Sequence, residues 1–538
     1  GRLKLHPQCA FPERFRFYRE VLGVTYDKLV DCPTFKEFLD SYRRPTGVTV
    51  VFSSAYPNNP ASMFGHTFLK FETSRKNDLL DIGINFAAYT PSDANLISFM
   101  YRGVFGGYPG MWSMEPYFIK VNEYVNSESR DLWEYELSLS EAETQHLLGH
   151  LWELEVTSYL DYFFLDENCS YQLLRAIEAV RLDWDLVAHL PVAVIPGETV
   201  KQLTYTPGAI RDVRFRSSLF HQLQQNYERL SETERADFSR LMNGEKVKTS
   251  PEALQAASIS FLYLRAVKKQ KWSDKDSERQ DLVTHLQLEE KEKPQPLETP
   301  PRLLKSRPDI GHDPASVYLG GGAMKPAGGS SESFVNLKAR LAYHDLLGMD
   351  VGYVPFSEIE FPWIDISATQ NKTELRELGF VSSTSLFPLT PFDQRWSWKM
   401  RIALERERGL ECQECLLLTA ESGAGVTLGA ERSRWYTLGS LRPEAHPDLP
   451  RGFRIRPVLE AGVILNPTDP YKMRLLARNL WSLDFDKSSQ RNLEFKWDHS
   501  WTMDRNNEIR QSNLINYQAH STDPAWFEAK LHWVHYFR

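Results

Sequence analysis

Cys169 and His66 are the residues whose types and settings suit covalent chemistry. Cys169 stands in Asp166-Glu167-Asn168-Cys169-Ser170-Tyr171-Gln172, at the head of a run whose apolar residues Leu173, Ile177 and Val180 recur at helical spacing. A thiol at a helix N-terminus is drawn toward thiolate, because the unpaired backbone N–H groups there carry partial positive charge. His66 lies far upstream in Ser62-Met63-Phe64-Gly65-His66-Thr67-Phe68-Leu69, where it opens a strand-like run. An imidazole that reaches the thiol completes the minimal set for acyl transfer through a thioester. Each residue alone has a bland reading. A lone Cys is usually a small buried hydrophobe, and a lone strand His is usually a satisfied core residue.

The elements around this pair set out an α+β region. Helical spacing of Phe15, Tyr18, Val21 and Leu22 predicts a helical N-terminal segment, residues 1–47. Val48-Thr49-Val50-Val51-Phe52 reads as a buried strand, His66 to Glu72 as a second, and Leu80 to Phe86 as a third. A glycine- and aromatic-rich loop is expected from Gly103 to Trp112, then a strand at Tyr117 to Val121. Ser140 with Glu143 has capping-box spacing and predicts a helix to about Val156. The domain carrying the pair spans 48–200. A helical connector is expected at 201–270, with capping signals at Ser231 and Glu234 and at Ser250-Pro251. Residues 271–313, dense in charge and proline, read as a loosely ordered linker.

From residue 314 to 538 the chain becomes strand after strand. In 395–406, Trp396, Trp398, Met400, Ile402 and Leu404 share one face, and Arg395, Ser397, Lys399, Arg401 and Glu405 the other. The last strand sets Phe527, Ala529, Leu531, Trp533 and Phe537 against Glu528, Lys530, His532 and Arg538. A soluble sandwich would bury the apolar face; an outer-membrane barrel would turn it to lipid. Long strands, aromatic-rich apolar faces and opposite charges on the polar faces favour an antiparallel β-barrel of about 12 strands.

Composition narrows the setting. The chain has 538 residues and a net charge of -8, which argues against nucleic acid as a partner. No run of about 18 apolar residues predicts a transmembrane helix. The first residues carry neither an apolar signal core nor a starting Met, so the chain reads as already processed. Of the five cysteines, Cys9 is expected to pair with Cys32 and Cys412 with Cys415, leaving Cys169 free. Two disulfides imply an oxidising compartment; the alternative is five reduced thiols. Cys412-x-x-Cys415 lacks a second ligand pair nearby, so no metal and no cofactor is expected.

Asn59 to Leu69 (Asn-Pro-x-Ser-x-Phe-Gly-His-x-Phe-Leu), Ile84-Asn85-Phe86-Ala87-Ala88 and Glu167-Asn168-Cys169-Ser170-Tyr171 together resemble the Lnb N-terminal periplasmic domain family, bacterial lipoprotein N-acyltransferases. The resemblance covers roughly 48–190, and its separated motifs occur in order. The strand-rich half looks like the barrel of some members; relatives with helical membrane domains differ. The order His before Cys is also similar to circularly permuted papain-like enzymes, including the lecithin–retinol acyltransferase group. The resemblance implies a papain-like fold with Cys169 as nucleophile and His66 as base. Asn85, or alternatively Asp81, would orient the imidazole. Ser62 would supply a hydroxyl or simply form a turn. Asn168 and Ser170, at the helix start, would cap it or help hold an oxyanion. The implied protein is a thiol acyltransferase with membrane lipids and lipoproteins as partners, its barrel in the outer membrane and its catalytic domain in the periplasm. An envelope cysteine hydrolase and a non-enzymatic pore are the alternatives.

Overall fold

A computed structural model describes residues 5–55, 64–73, 77–90, 96–191, 193–268, 272–290, 307–325, 329–407, 415–430, 432–449, 451–481, 491–518 and 525–538. The chain divides into two compact units, with the boundary at 304/305.

The first unit opens with helices α1 (Pro7–Ala10), α2 (Pro12–Glu20) and α3 (Pro33–Ser41), stapled by the Cys9–Cys32 disulfide. Strands β1 (Gly47–Ser53), β2 (His66–Glu72) and β3 (Ile82–Ala88) follow, then α4 (Leu96–Phe105), β4 (Tyr108–Pro116), α5 (Tyr117–Val121) and β5 (Leu132–Leu137). Next come α6 (Glu141–Thr157), β6 (Leu160–Tyr162), α7 (Cys169–Glu178), α8 (Pro196–Tyr205), β7 (Ile210–Arg216), α9 (Leu219–Arg229), α10 (Glu232–Met242), α11 (Pro251–Lys268) and α12 (Asp274–Glu290). The strands form one antiparallel sheet in the order β6-β4-β3-β2-β1-β5-β7. Val50, Phe52, Leu69, Phe71, Ile84, Phe86, Trp133 and Tyr135 join Leu147, Leu151, Leu173 and Ile177 of α6 and α7 in the main core. On the opposite face a smaller core gathers Val51, Phe68, Leu132, Tyr117 and Tyr124. Burial on both faces explains why β1 reads as a nearly continuous apolar run rather than an alternating one.

Several expectations change here. Residues 103–112 are not a loop: α4 runs through Phe105 and β4 starts at Tyr108. Tyr117–Val121 is a helical turn, because Pro116 ends the sheet ladder and its φ suits a helix start. The 201–270 connector contains a strand, β7, which extends the sheet beyond β5. The 271–313 linker contains the helix α12, which opens where Ser273 accepts from the Asp276 N–H and packs Val283 and Leu286 inward. The capping boxes at Ser140 and Ser231 are both formed.

The second unit is a closed barrel of twelve strands: β8 (Ala315–Lys325), β9 (Glu332–His344), β10 (Ser357–Ala368), β11 (Thr373–Ser385), β12 (Ser397–Arg406), β13 (Leu416–Leu428), β14 (Ser433–Ala445), β15 (Phe453–Thr468), β16 (Tyr471–Trp481), β17 (Arg491–Asp504), β18 (Asn507–Gln518) and β19 (Ala525–Phe537). Each strand pairs antiparallel with the next, and β19 closes on β8 from Phe527↔Lys325 to Phe537↔Ala315. The wall is inside-out relative to a soluble protein. Trp435, Leu441, Phe453, Leu459, Phe495 and Leu531 are exposed. Arg340, Glu421, Arg442, Glu444, Arg454, Glu460 and Asp498 are buried in the lumen. The lumen charges neutralise one another across strands. Glu421 on β13 meets Lys399 (3.1 Å), Arg478 (2.6 Å) and Arg442 (3.7 Å) from β12, β16 and β14. Strands of 10 to 16 residues exceed the roughly 9–11 needed to cross hydrocarbon. An apolar outer wall around a charged interior is the arrangement of an outer-membrane barrel.

The lumen is partly filled. Residues 345–356, between β9 and β10, fold into the barrel. Asp345 accepts from Arg340 (2.8 Å) and Arg510 (2.7 Å), and Lys472 donates to the Gly348 carbonyl and to Asp350 (2.7 Å). Leu346 and Phe356 cluster with the neighbouring Leu386 and with Tyr436, Leu438 and Ile464 on the distant strands β14 and β15. A charged cavity of about 520 Å³ remains.

Candidate active site

α7 begins at Cys169 because Asn168 ends the preceding extended segment and caps the helix. Its Oδ1 accepts from the N–H groups of Ser170 (2.9 Å) and Tyr171 (3.4 Å). Its Nδ2 donates to the carbonyls of Phe164 (3.1 Å) and Val194 (2.5 Å), tying the helix start to two loops. Asn168 is therefore committed to capping, and two of the N–H groups expected to face an oxyanion are engaged by the cap. Ser170 is fully buried, with its hydroxyl 3.5 Å from Thr67 Oγ1.

His66 is the first residue of β2. Gly65, at φ +78°, supplies the left-handed turn into it, and a Cβ there would lie 2.8 Å from Phe52 and the Ser53 carbonyl. The β2–β3 register runs from Phe71↔Ile82 to Leu69↔Ile84. His66 and Asn85 both lie beyond its last pair, and continued alternation puts them on one face. There the His66 Nε2 and Asn85 Oδ1 stand 2.5 Å apart. An amide oxygen accepts only, so this contact selects the tautomer with its proton on Nε2 and leaves Nδ1 as the basic nitrogen. Asp81, the alternative to Asn85, is held instead by the N–H (2.9 Å) and hydroxyl (3.0 Å) of Thr73.

The imidazole and the thiol meet directly. Burial alone pushes the Cys169 thiol up, but the His66 charge, its hydrogen bond, and contacts from the backbone and side chain of Thr67 outweigh it. The thiol is brought down to about 6. Burial likewise disfavours the His66 imidazolium, yet the Cys169 charge and the hydrogen bonds to Cys169 and Asn85 raise it. Each partner thus favours the charged form of the other. Cys169 is the free cysteine among the described residues.

Three contributors were not anticipated. Thr67 stands 3.9 Å from the sulfur through its hydroxyl. Tyr162 on β6 brings its hydroxyl to both the backbone and the sulfur of Cys169; burial, then the thiolate, hold it well above an ordinary phenol. The Tyr124 ring lies 6.0 Å from the His66 ring, and the Arg130 guanidinium stands 5.4 Å from the Tyr124 ring centre. Thr67 is legible as the residue after the histidine. Tyr162 is not, because its position depends on β6 pairing with β4 (Tyr108↔Tyr162).

Ser62 and Cys412 lie outside the described residues. Cys415 is disulfide-bonded. With His446 and Asp448 it forms a cluster at metal-ligand spacing, but a disulfide sulfur offers no thiolate to a cation.

Residues 34–205 match the family described as Lnb N-terminal periplasmic domain, and residues 305–536 match Domain of unknown function (DUF7840). No curated protein matches the chain. Among solved structures, the COG4313 outer membrane channel from Pseudomonas putida F1 shares 9% identity, with 45% of this chain and 100% of that chain covered, at a TM-score of 0.29. An anion-selective porin from Comamonas acidovorans shares 8%, with 41% and 98% covered, at 0.22. The barrel itself is defined by its own strand pairing. A periplasmic domain joined to an outer-membrane barrel makes this a protein of the Gram-negative cell envelope.

Proposed function

We propose that this chain is a cell-envelope thiol acyltransferase, moving an acyl group from a lipid ester to a lipoprotein amine or similar acceptor. The observation that carries the reading is the direct, buried contact of Cys169 with His66, whose tautomer Asn85 selects. In the first half-reaction the Cys169 thiolate attacks the ester carbonyl. The C–S bond forms, and the His66 imidazolium gives its proton to the departing alkoxide as the C–O bond breaks. A thioester remains. In the second half, an amine attacks the thioester while neutral His66 takes its proton; the C–N bond forms and the thiolate leaves. The Tyr162 hydroxyl, in contact with the sulfur, is a donor suited to the oxyanion, since the cap takes the Ser170 and Tyr171 N–H groups. Asn85 positions the imidazole and Asn168 positions the helix start.

Intact-protein and peptide mass spectrometry after incubation with phospholipid tests this. A fatty-acyl adduct on Cys169, discharged by a lipopeptide amine and absent in Cys169→Ser, is expected. Discharge by water alone would make the enzyme a hydrolase. Turnover of peptidoglycan fragments without any fatty-acyl adduct would point to an amidase or peptidase. Transmembrane conductance with no adduct of any kind would favour a pore, a reading that the 345–356 segment packed across the lumen opposes.

A further inference from the structure

The Cys9–Cys32 disulfide closes a loop whose base is fixed and whose outer part faces solvent. At the base, Trp152 Nε1 donates to the Cys9 carbonyl (2.9 Å), and Glu153 on α6 accepts from the N–H groups of Glu13 (2.7 Å) and Arg14 (2.9 Å). The Gln8 side chain ties the returning chain, donating to the Lys28 carbonyl (3.1 Å) and accepting from the Val30 N–H (2.9 Å). Between these ties the loop projects. The Val24 N–H donates to the Tyr18 carbonyl (2.9 Å) around Gly23, whose φ of +67° makes the turn; a Cβ there would meet no atom within 4 Å. Tyr26 folds back on Phe15, ring to ring at 4.8 Å. Seven of the thirteen residues from Phe17 to Leu29 are large apolar or aromatic side chains that are exposed, among them Val21 (60%), Leu22 (55%) and Leu29 (61%). Single exposed apolar residues need no explanation, but a contiguous group does. Residues 14–28 also hold four cations against two carboxylates, Glu20 and Asp27, in a chain of net charge -8. Arg16 is engaged by Glu13 (2.7 Å) and Glu20 (3.5 Å), while Arg14, Arg19 and Lys28 are exposed. The loop precedes the matched family region, 34–205.

We propose that this disulfide-stapled loop, Phe17 to Leu29, is a membrane-docking element. Val21, Leu22 and Val24 at its tip enter the interface of a bilayer that carries anionic phospholipid, and Arg14, Arg19 and Lys28 meet the headgroups. Three observations select this occupant. The barrel holds the chain at a membrane, so a bilayer surface is within reach at high effective concentration. Aliphatic side chains around an open tip suit a fluid hydrocarbon layer, which requires no complementary groove. Tyr18 and Tyr26 pair an apolar ring with a polar hydroxyl, the character favoured at headgroup level, and the local excess of cations in an acidic chain complements anionic lipid. The disulfide keeps the loop ordered before it meets the bilayer, which lowers the entropic cost of docking. The element holds its unit on the lipid surface independently of the chemistry at Cys169.

The test uses the full chain with Cys169→Ser, so that an added cysteine takes the label, reconstituted into vesicles of phosphatidylethanolamine and phosphatidylglycerol. A nitrobenzoxadiazole dye on Thr25→Cys, an exposed polar position within the loop, reads its surroundings. Its emission should be blue-shifted, and lipids brominated near the headgroup end of the acyl chain should quench it more than lipids brominated at the chain end. An interfacial element lies about 5–10 Å into the headgroup–acyl boundary. The quenching should be lost in Val21→Asp/Leu22→Asp, with circular dichroism checking that the exposed substitutions leave the fold intact. The ratio of docked to undocked loop should fall about fivefold for each cation removed, in Arg19→Gln and in Lys28→Gln. The same dye on Glu245→Cys, exposed between α10 and α11, should not be quenched. A dye at position 25 that bromine does not quench overturns the proposal; a blue shift without quenching does so by showing that protein covers the loop. Equal quenching at positions 25 and 245, or quenching that Val21→Asp/Leu22→Asp retains, overturns it as well. Acyl transfer stands or falls separately, on the adduct at Cys169.

Discussion

Both halves of this molecule bury charge, and they do so to opposite ends. In the barrel, Glu421 meets three cations, Glu444 meets Arg442 (2.6 Å) and Arg454 (2.5 Å), and Glu460 meets Lys399 (2.8 Å) and Arg478 (3.2 Å). Each of these carboxylates is held between guanidinium or ammonium partners on neighbouring strands. In the sheet domain His66 and Cys169 each draw the other toward its charged form, with help from Thr67 and Asn85, and the counter-charge is itself titratable. Burial is therefore no mark of function by itself. What separates scaffold from site is whether the counter-charge is permanent or transferable.

The comparison breaks most sharply at His66. His66→Ala removes the proton acceptor, and the acylation rate of Cys169 should fall roughly 10²- to 10⁴-fold with the fold intact by circular dichroism. The barrel offers the contrasting case. Glu421→Gln leaves Lys399, Arg478 and Arg442 without their shared carboxylate, a loss on the order of 3–5 kcal/mol for a broken buried pair. Unfolding of the barrel on heating, followed by its shift in gel mobility, should start at lower temperature. Thiol alkylation should be unchanged, and a change there would mean that the two charge systems are coupled.

The smallest effect sharpens the picture of the pair. Wild-type alkylation by iodoacetamide should be half-maximal near pH 6, because the Cys169 thiolate exists above about 6 and is lost as pH falls through that value. In Asn85→Ala the imidazolium loses a hydrogen bond that raises it, so His66 falls and the thiol rises. The alkylation midpoint should move to higher pH, and acylation at neutral pH should drop roughly tenfold to a hundredfold as the tautomer is released. An unshifted midpoint would show that Asn85 only packs against the ring.

The barrel was legible because its pattern is a direct imprint of its environment. A strand between lipid and a charged lumen must alternate, and 12 strands follow from counting such runs. The sheet domain was less legible at its edges. Tyr117–Val121 has β-like composition but sits after Pro116, where the ladder stops. The 271–313 stretch has a linker's composition, yet α12 forms because its few apolar residues, Val283 and Leu286, find a buried seat. At the site, Cys169, His66 and Asn168 were readable from local cues: a cap, a helix start and a strand start. Tyr162 was not, since nothing near it in the chain points to the sulfur.

The sequence alone pointed to Cys169 at a helix start, His66 at a strand start, the Asn168 cap and the membrane-type wall, because each depends on neighbours a few residues away or on a period of two. The contact of Asn85 with the imidazole, the contact of Tyr162 with the thiol and the loop within the barrel were decided only by tertiary structure. Each depends on register and on where a ladder ends, and those are set by packing between segments that are distant along the chain.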